Sequence, residues 1–262
     1  MEAVAPAEPP ANADARNGQP AILLDHVTKK FGDRKVLDDV TLDIRGGTAF
    51  CLLGRSGTGK SVTLKHIIGL MKPDRGHVFV HGRDVTALEG PDLAAVRRTM
   101  GFLFQNAALF DSISVGENVA FPLRRHTDWP DERIREVAKA KLANVGLESD
   151  YDTMPADLSG GMRKRAGLAR AMALDPDILL VDEPSAGLDP ITSEEIDQLL
   201  VGLKEKGTTL VVVTHDIPSA RHIGDELAML HEGRVIVRGT AEELERSEHE
   251  LVRAFMQSHG SG

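Results

Sequence analysis

The chain has 262 residues, enough for one sizeable α/β domain with a small insertion and too few for two such domains. A net charge of −9 excludes the basic footprint of most nucleic-acid-binding proteins, so no nucleic acid partner is expected. The single cysteine, Cys51, excludes an internal disulfide and a cysteine-based zinc site.

Residues 1–20 are rich in alanine and proline and poor in bulky apolar side chains, which predicts a disordered tail. They lack the basic and apolar regions of a secretory signal. No apolar run reaches the roughly 18 residues of a membrane span. We therefore expect a cytoplasmic chain, and if it works at a membrane, another protein must hold it there.

From Ala21 onward the pattern predicts an ordered domain, residues 21–262. The segments AILLDHVTKKF and KVLDDVTLDI predict strands of an edge sheet, and AFCLL predicts a buried parallel strand. The following SVTLKHIIGLM has helical spacing and is ended by Pro73. HVFVHGRDV and GFLFQ predict two further strands.

The strand signal then disappears until about Asp157. PDERIREVAKAKLANVG predicts an amphipathic helix ending at Gly146, so residues of about 106–160 are expected to form an inserted helical subdomain.

Strands and helices alternate again in the last third of the chain. DILLVD and TTLVVVT predict strands on either side of the helix ITSEEIDQLLVGLKEKG, and AMLHEGRVIVRG predicts a hairpin. This alternation indicates an α/β fold with a mainly parallel core sheet and an antiparallel β edge subdomain. A C-terminal helical extension of about 241–262 is expected to pack on its own core, with packing on a second copy as the alternative.

A glycine-rich loop, GRSGTGKS, follows the AFCLL strand and opens the next helix, and it fits the phosphate-binding pattern G-x-x-x-x-G-K-[ST]. Its glycines let backbone N–H groups surround a phosphate, Lys60 places a cation on the outer phosphates, and the Ser61 hydroxyl is a ligand for Mg²⁺. We therefore expect a nucleoside triphosphate and Mg²⁺ at this loop.

Polar side chains follow three other strands of the predicted sheet. Asp182, a metal-holding candidate, ends ILLVD, and Glu183 comes next as a candidate general base. His215 follows TLVVVT as a candidate contact for the γ-phosphate, and Gln105 follows GFLF as a candidate contact for the metal or the attacking water. The carboxyl ends of parallel strands form one ligand-binding edge, so these groups are expected to converge.

A second glycine pair stands in LSGGM, where residues alone leave two readings open: a capped helix start or a second anion site. Together with the glycine loop and the polar residues at the strand ends, this motif makes the chain resemble the ATPase subunit of an ABC transporter. The resemblance covers about Ala21 to Thr240 of this chain. In that resemblance GRSGTGKS is similar to the Walker A loop, Gln105 to the Q-loop, LSGGM to the signature, ILLVDEP to Walker B, SAGLD to the D-loop, and His215 to the switch histidine.

The resemblance implies a P-loop NTPase of the ABC ATPase type that works as a head-to-tail dimer, in which each chain's signature completes the ATP site of the second copy. It also implies that Phe31, where many members have tyrosine, stacks on adenine. The residues expected to contact ATP are then Phe31, Gly54, Arg55, Ser56, Gly57, Thr58, Gly59, Lys60, Ser61 and Val62, together with the second copy's Ser159, Gly160 and Gly161.

The details GRSGTGKSV, KHIIGL, LSGGM and DPIT are most similar to ATPases of the Mla type, which serve lipid-trafficking systems with MCE-domain proteins. The resemblance implies phospholipid transport with a transmembrane permease and an MCE-domain protein as partners, at the cytoplasmic face of the inner membrane. Two alternatives stay open: an ATPase of an importer for amino acids or another small solute, and a soluble ABC ATPase acting as an assembly scaffold or in DNA repair. The acidic charge argues against work on DNA.

Overall fold

The computed structural model describes residues 19–258, so most of the predicted tail, 1–18, and the last residues, 259–262, lie outside it. The smaller of the two sheets is antiparallel and has four strands in the order β2-β1-β4-β5. Its strands are β1 Ile22–Phe31, β2 Arg34–Ile44, β4 Arg75–Val80 and β5 Arg83–Asp84. The predicted edge sheet is thus present.

The central sheet has six strands in the order β10-β9-β3-β8-β7-β6. Its strands are β3 Ala49–Leu53, β6 Met100–Leu103, β7 Ile178–Asp182, β8 Thr209–Thr214, β9 Glu226–His231 and β10 Arg234–Gly239. All pairs are parallel except the hairpin of β9 and β10, which turns at Glu232 and Gly233 as predicted. Strands β3, β7 and β8 are buried along their whole length, which explains their unbroken apolar runs.

Nine helices surround the sheets within residues 19–258. They are α1 Lys60–Ile67, α2 Gly90–Arg97, α3 Val115–His126, α4 Asp131–Ala143, α5 Gly160–Ala171, α6 Pro190–Glu205, α7 Ile217–Ile223, α8 Ala241–Glu245 and α9 Glu250–Gln257. Within the same range no helix combines the length and the apolar character needed to cross a membrane.

Two apolar cores lie on opposite faces of the central sheet, and alternate residues of β3 feed them. Cys51 and Leu53 join the core that holds α3 to α7, whereas Phe50 and Leu52 join the core shared with α1 and the antiparallel sheet. Burial raises the pKa of the Cys51 thiol to about 12, so this cysteine behaves as a small apolar residue of the core.

The helical insertion contains more structure than the pattern predicted. Helix α4 matches the predicted helix, but α3 precedes it with Ser114 as its cap, where the Ser114 hydroxyl accepts a hydrogen bond from the Glu117 amide. Helix α2, which precedes the insertion, was also absent from the predicted elements. Both α3 and α4 pack on α5, which leads out of the insertion.

The C-terminal stretch forms two helices separated by a turn. Thr240 and Glu243 make a reciprocal capping box at the start of α8. In α9, Val252 and Met256 are buried in the core of the same chain, and Arg221 donates to the Met256 carbonyl at 3.0 Å. The helix therefore packs on its own core, as expected.

Candidate active site

The loops after β3, β6, β7 and β8 meet at the carboxyl edge of the central sheet and line a cleft of about 610 Å³. The lining includes most of the residues predicted for the site: Arg55, Ser56, Gly57, Gly59, Lys60, Ser61, Val62, Gln105, Glu183 and His215. The topology thus brings together groups that are up to about 160 residues apart in sequence, as expected for a parallel sheet.

The glycine loop needs its glycines because its backbone touches neighbouring strands. Gly54 and Gly59 have φ angles of 154° and 110°, and a Cβ on Gly59 would lie 2.7 Å from the Val36 carbonyl oxygen. The loop is closed from within by Thr58, whose hydroxyl donates to the Arg55 carbonyl at 2.9 Å. Arg34 fixes it from outside by donating to the Gly57 carbonyl at 2.8 Å.

Lys60 lies at the base of the loop and is 4% exposed. Its ammonium group donates to the Gly54 carbonyl at 2.7 Å and lies 3.1 Å from Oε1 of Glu183. The other carboxylate oxygen of Glu183 lies 2.8 Å from Nδ1 of His215. Three predicted site residues from three different loops therefore form one connected network.

Glu183 itself has a left-handed backbone, with φ of 47°, which is uncommon for a residue with a side chain. Its amide donates to the Val213 carbonyl at 2.9 Å, so β8 holds the residue just beyond the end of β7. This conformation directs the carboxylate between Lys60 and His215.

The Ser61 hydroxyl donates to Oδ1 of Asp182 at 2.8 Å. Burial raises the pKa of the Asp182 carboxyl, and the hydrogen bond from Ser61 acts in the opposite direction. A hydroxyl and a carboxylate oxygen at this spacing are the hard donors that Mg²⁺ takes alongside phosphate oxygens and water. Within residues 19–258 no three or more His, Cys, Asp or Glu side chains are grouped so that they could hold a metal ion.

Six predicted ATP contacts lie outside the lining of the cleft. Phe31 ends β1 and is 48% exposed, and the Lys29 ammonium lies 5.8 Å from the centroid of its ring. Ser159 caps α5 by accepting a hydrogen bond from the Met162 amide at 3.2 Å, and both Ser159 and Gly160 are exposed. Gly161 is buried. Gly54 is buried directly after β3. Thr58 turns into the loop, where its hydroxyl donates to the Arg55 carbonyl.

The sequence reasoning missed several groups around the cleft. Lys164 is buried and donates to the backbone carbonyl of Glu183 at 2.8 Å, and Leu251 and Phe255 of α9 line the cleft. The run of three basic residues at 163–165 was a visible signal, since successive positions on a helix point in different directions and one of them can face inward.

Comparison with known proteins agrees with this geometry. The sequence profile of the family described as ABC transporter matches residues 37–186, more than half of the chain. The chain belongs to the ABC transporter family. The resemblance inferred from the motifs is thus confirmed, and the protein is an ABC ATPase with a P-loop NTPase fold.

Two curated relatives illustrate the similarity. The chain is 43% identical to the probable ribonucleotide transport ATP-binding protein mkl of Mycobacterium leprae, covering 92% of this chain and 70% of the relative. It is 40% identical to the intermembrane phospholipid transport system ATP-binding protein MlaF of Haemophilus influenzae, covering 93% of each.

Solved structures show the same architecture. The ATP-binding cassette MJ0796, in a dimeric post-hydrolysis state bound to ADP and Pi, superposes with a TM-score of 0.78 at 37% identity, covering 84% of this chain and 98% of that one. The predicted fold class, a mainly parallel core sheet with an antiparallel edge sheet, is therefore confirmed.

Proposed function

We propose that this ABC ATPase powers the movement of phospholipid between membranes through a partner permease. The observation that carries the proposal is the match to MlaF of Haemophilus influenzae, which extends over 93% of both chains. The motifs GRSGTGKSV, KHIIGL and LSGGM, which point to the Mla type, lie within the loops and helices that build the cleft and its surroundings.

ATP is bound by the glycine loop, whose backbone N–H groups surround its phosphates at the N-terminus of α1. Lys60 neutralises the outer phosphates. Ser61 and Asp182, with Gln105 from the loop after β6, would hold Mg²⁺, which would supply positive charge next to the phosphoryl group being transferred. Phe31, exposed beside the loop that Arg34 fixes, stacks on adenine.

Glu183 takes a proton from the attacking water, a step that contributes on the order of 10²–10⁴-fold to hydrolysis. Its carboxylate is oriented by two neighbours, the Lys60 ammonium and the His215 imidazole. His215 also reaches toward the γ-phosphate from the loop after β8. The Lys60–Glu183–His215 network supports this division of roles.

The site is completed by the Ser159, Gly160 and Gly161 of a second copy packed head to tail. Two observations support this arrangement: the signature lies outside the cleft of its own chain, and Ser159 and Gly160 are exposed at the positive end of α5. The MJ0796 cassette is itself dimeric. Hydrolysis and phosphate release then separate the two copies.

The permease docks in a groove of about 560 Å³ between the sheet and the helical insertion. The groove is lined by apolar and basic side chains, including Phe104, Phe110, Phe121 and Arg170. Phe110 and Phe121 are 46% and 48% exposed with ring centroids 5.0 Å apart, a pair suited to the apolar face of a short helix. With the permease bound in this groove, the ATPase would lie at the cytoplasmic face of the inner membrane, and an MCE-domain protein would be the third component.

A second candidate substrate is a ribonucleotide, because the mkl relative of Mycobacterium leprae is 43% identical. This chain covers 70% of that relative, against 93% of the Haemophilus influenzae MlaF. The match over the whole length favours the phospholipid system.

The experiment is a mild-detergent pulldown of the tagged chain from membranes, with mass spectrometry of the co-purified proteins and lipids. We expect a permease and an MCE-domain protein, and ATPase activity that rises when the complex is placed in phospholipid vesicles. A matched variant, Phe110→Ser with Phe121→Ser, should lose the permease while still binding ATP. Recovery of a solute permease with bound ribonucleotide, or of the chain in the soluble fraction alone, would contradict the proposal.

A further inference from the structure

The three basic residues after the signature do not share one role. Arg163 donates to the Leu158 carbonyl, Arg165 to the Val145 carbonyl at 3.3 Å, and Lys164 to the Glu183 carbonyl at 2.8 Å. Only the last of these contacts reaches the catalytic loop. Lys164 is also the most buried of the three, at 5% exposed.

A buried ammonium group is costly unless hydrogen bonds and nearby carboxylates offset its loss of solvation. Here burial lowers the pKa of Lys164 to about 8, while the charges of Asp182 and Glu183 act in the opposite direction. The side chain is therefore mainly charged at neutral pH. A cation kept in such a place makes a stronger hydrogen bond to the carbonyl than a neutral donor would.

The carbonyl that accepts this bond belongs to a strained residue. Glu183 has a left-handed backbone, its amide is held by the Val213 carbonyl at 2.9 Å, and its carbonyl is held by Lys164. The two bonds fix the backbone on both sides of the Glu183 Cα, which carries the carboxylate that contacts His215. Without Lys164 one of these restraints is lost.

Lys164 also belongs to the helix that begins with the signature. Ser159 caps α5, and Lys164 lies about one and a half turns further along the same helix. In the proposed dimer, Ser159 contacts the ATP bound by the partner, whereas Glu183 acts on the ATP bound by its own chain. A shift of α5 when the signature engages one ATP therefore displaces the group that holds Glu183 at the other.

We propose that Lys164 is a positioning residue that fixes the backbone of Glu183 and links it, through α5, to the signature that completes the second ATP site. The link rests on the proposed dimer and on the proposed role of Glu183. It acts through the backbone of Glu183, so Lys164 touches neither ATP nor the attacking water.

The test compares Lys164→Met, which keeps most of the side-chain volume but cannot donate, with Lys164→Arg, which restores a charged donor. For Lys164→Met in the full chain we expect kcat to fall about ten- to a hundredfold, the order of loss for a misplacement of about 1 Å at a catalytic group. The Kd for a fluorescent ATP analogue and the melting temperature should stay close to wild type. The Lys164→Arg chain should recover most of kcat.

A control variant and a second measurement distinguish a positioning role of Lys164 from a general effect on protein stability. The matched control, Arg165→Met, removes a carbonyl bond made by the same helix away from Glu183, and it should keep kcat near wild type. The Hill coefficient for ATP should exceed one in the wild type and fall toward one in Lys164→Met, because the link between the two sites is cut.

Failure of this inference is distinguishable from failure of the proposed function, because Glu183→Gln is measured in the same assay. If Glu183→Gln is inactive while Lys164→Met is fully active, the role of Lys164 is overturned and that of Glu183 stands. If Lys164→Arg is as inactive as Lys164→Met, or the Hill coefficient does not change, the positioning link is likewise overturned. Retained turnover in Glu183→Gln would overturn the proposed base itself.

Discussion

The ammonium group of Lys60 lies 3.1 Å from the carboxylate oxygen Oε1 of Glu183, and both side chains are almost fully buried. The two residues come from the loops after β3 and β7, and in the proposed mechanism they hold the phosphate and activate the water. The Glu183 carboxylate therefore competes with a phosphate for the same cation. Removing its charge affects binding and turnover in opposite directions.

This relationship leads to a prediction for Glu183→Gln. ATP affinity should be retained or increased, because Lys60 loses an anionic partner, while turnover should fall by about two orders of magnitude or more because the amide cannot accept the proton. Fluorescent-ATP titration and phosphate release measure the two effects, and sizing should show closed dimers accumulating with ATP. The control is Glu195→Gln, an exposed glutamate on α6. Turnover at the wild-type rate would remove Glu183 from the role of base.

A second prediction concerns the packing of the signature on α6. A Cβ added to Gly161 would overlap Cγ2 of Thr192, whose hydroxyl is held by Asp189 at 2.6 Å. Gly161→Ala should therefore lower the free energy of unfolding by about 1–3 kcal/mol through overpacking. The combination with Thr192→Ser, which removes the methyl group and keeps the hydroxyl, should restore much of the loss in urea denaturation. If the changes in unfolding free energy of the two single variants simply add in the double variant, the contact between Gly161 and Thr192 is not the cause of the destabilisation.

A third prediction concerns pH. Asp197 of α6 is 6% exposed and accepts a hydrogen bond from Ser219 of α7 at 2.7 Å, and burial raises its pKa from 3.8 to about 6. Between about pH 4 and pH 6 the folded chain therefore keeps a proton that the unfolded chain has lost, so this group makes stability fall as pH rises. Well above pH 6 the Asp197 carboxyl is ionised in both the folded and the unfolded chain, so its effect on the free energy of unfolding no longer changes with pH.

The matching measurement is the unfolding free energy of wild type and Asp197→Asn across that range. The neutral variant lacks the titration, so wild-type stability relative to it should fall by on the order of 2 kcal/mol from pH 4 to pH 6 and then level off. His222, Asp216 and Glu194 also act on this carboxyl and remain in both proteins. Parallel curves for the two proteins would refute the assignment.

A fourth prediction concerns α9. Met256 is 2% exposed and packs in the core of its own chain, so Met256→Ala should cost about 2 kcal/mol or more. Glu248→Ala, at an exposed position just before the helix, serves as the control and should be neutral. An unchanged denaturation midpoint for Met256→Ala would mean that α9 packs elsewhere, for example on a second copy.

The sequence predicted the sheets well because their residues carry strong local signals. The apolar runs of β3 and β7 and the turn at Glu232 and Gly233 leave few alternatives. Helix α3 was missed because Pro122 lies inside it, and proline normally marks a helix boundary. Its buried Asn118 makes hydrogen bonds to the backbone of Phe110 in the preceding loop, a contact that the helical periodicity does not reveal.

The same distinction applies to the active site. The glycine loop, Asp182 and Glu183 were predictable because strand ends converge in a parallel sheet. The inward position of Lys164 was not, because it depends on the rotation of α5 against β7. Leu251 and Phe255 line the cleft because α9 packs next to the glycine loop. The sequence pattern predicts this helix but not the part of the domain on which it packs.

The position of Ser258 on the rim of the cleft has a practical consequence for work on this protein. A foreign peptide joined directly to Ser258 would begin at the lining of the cleft that binds ATP. Kinetic constants from C-terminally tagged material should therefore be compared with those measured after an affinity handle or fluorescent reporter has been cleaved off.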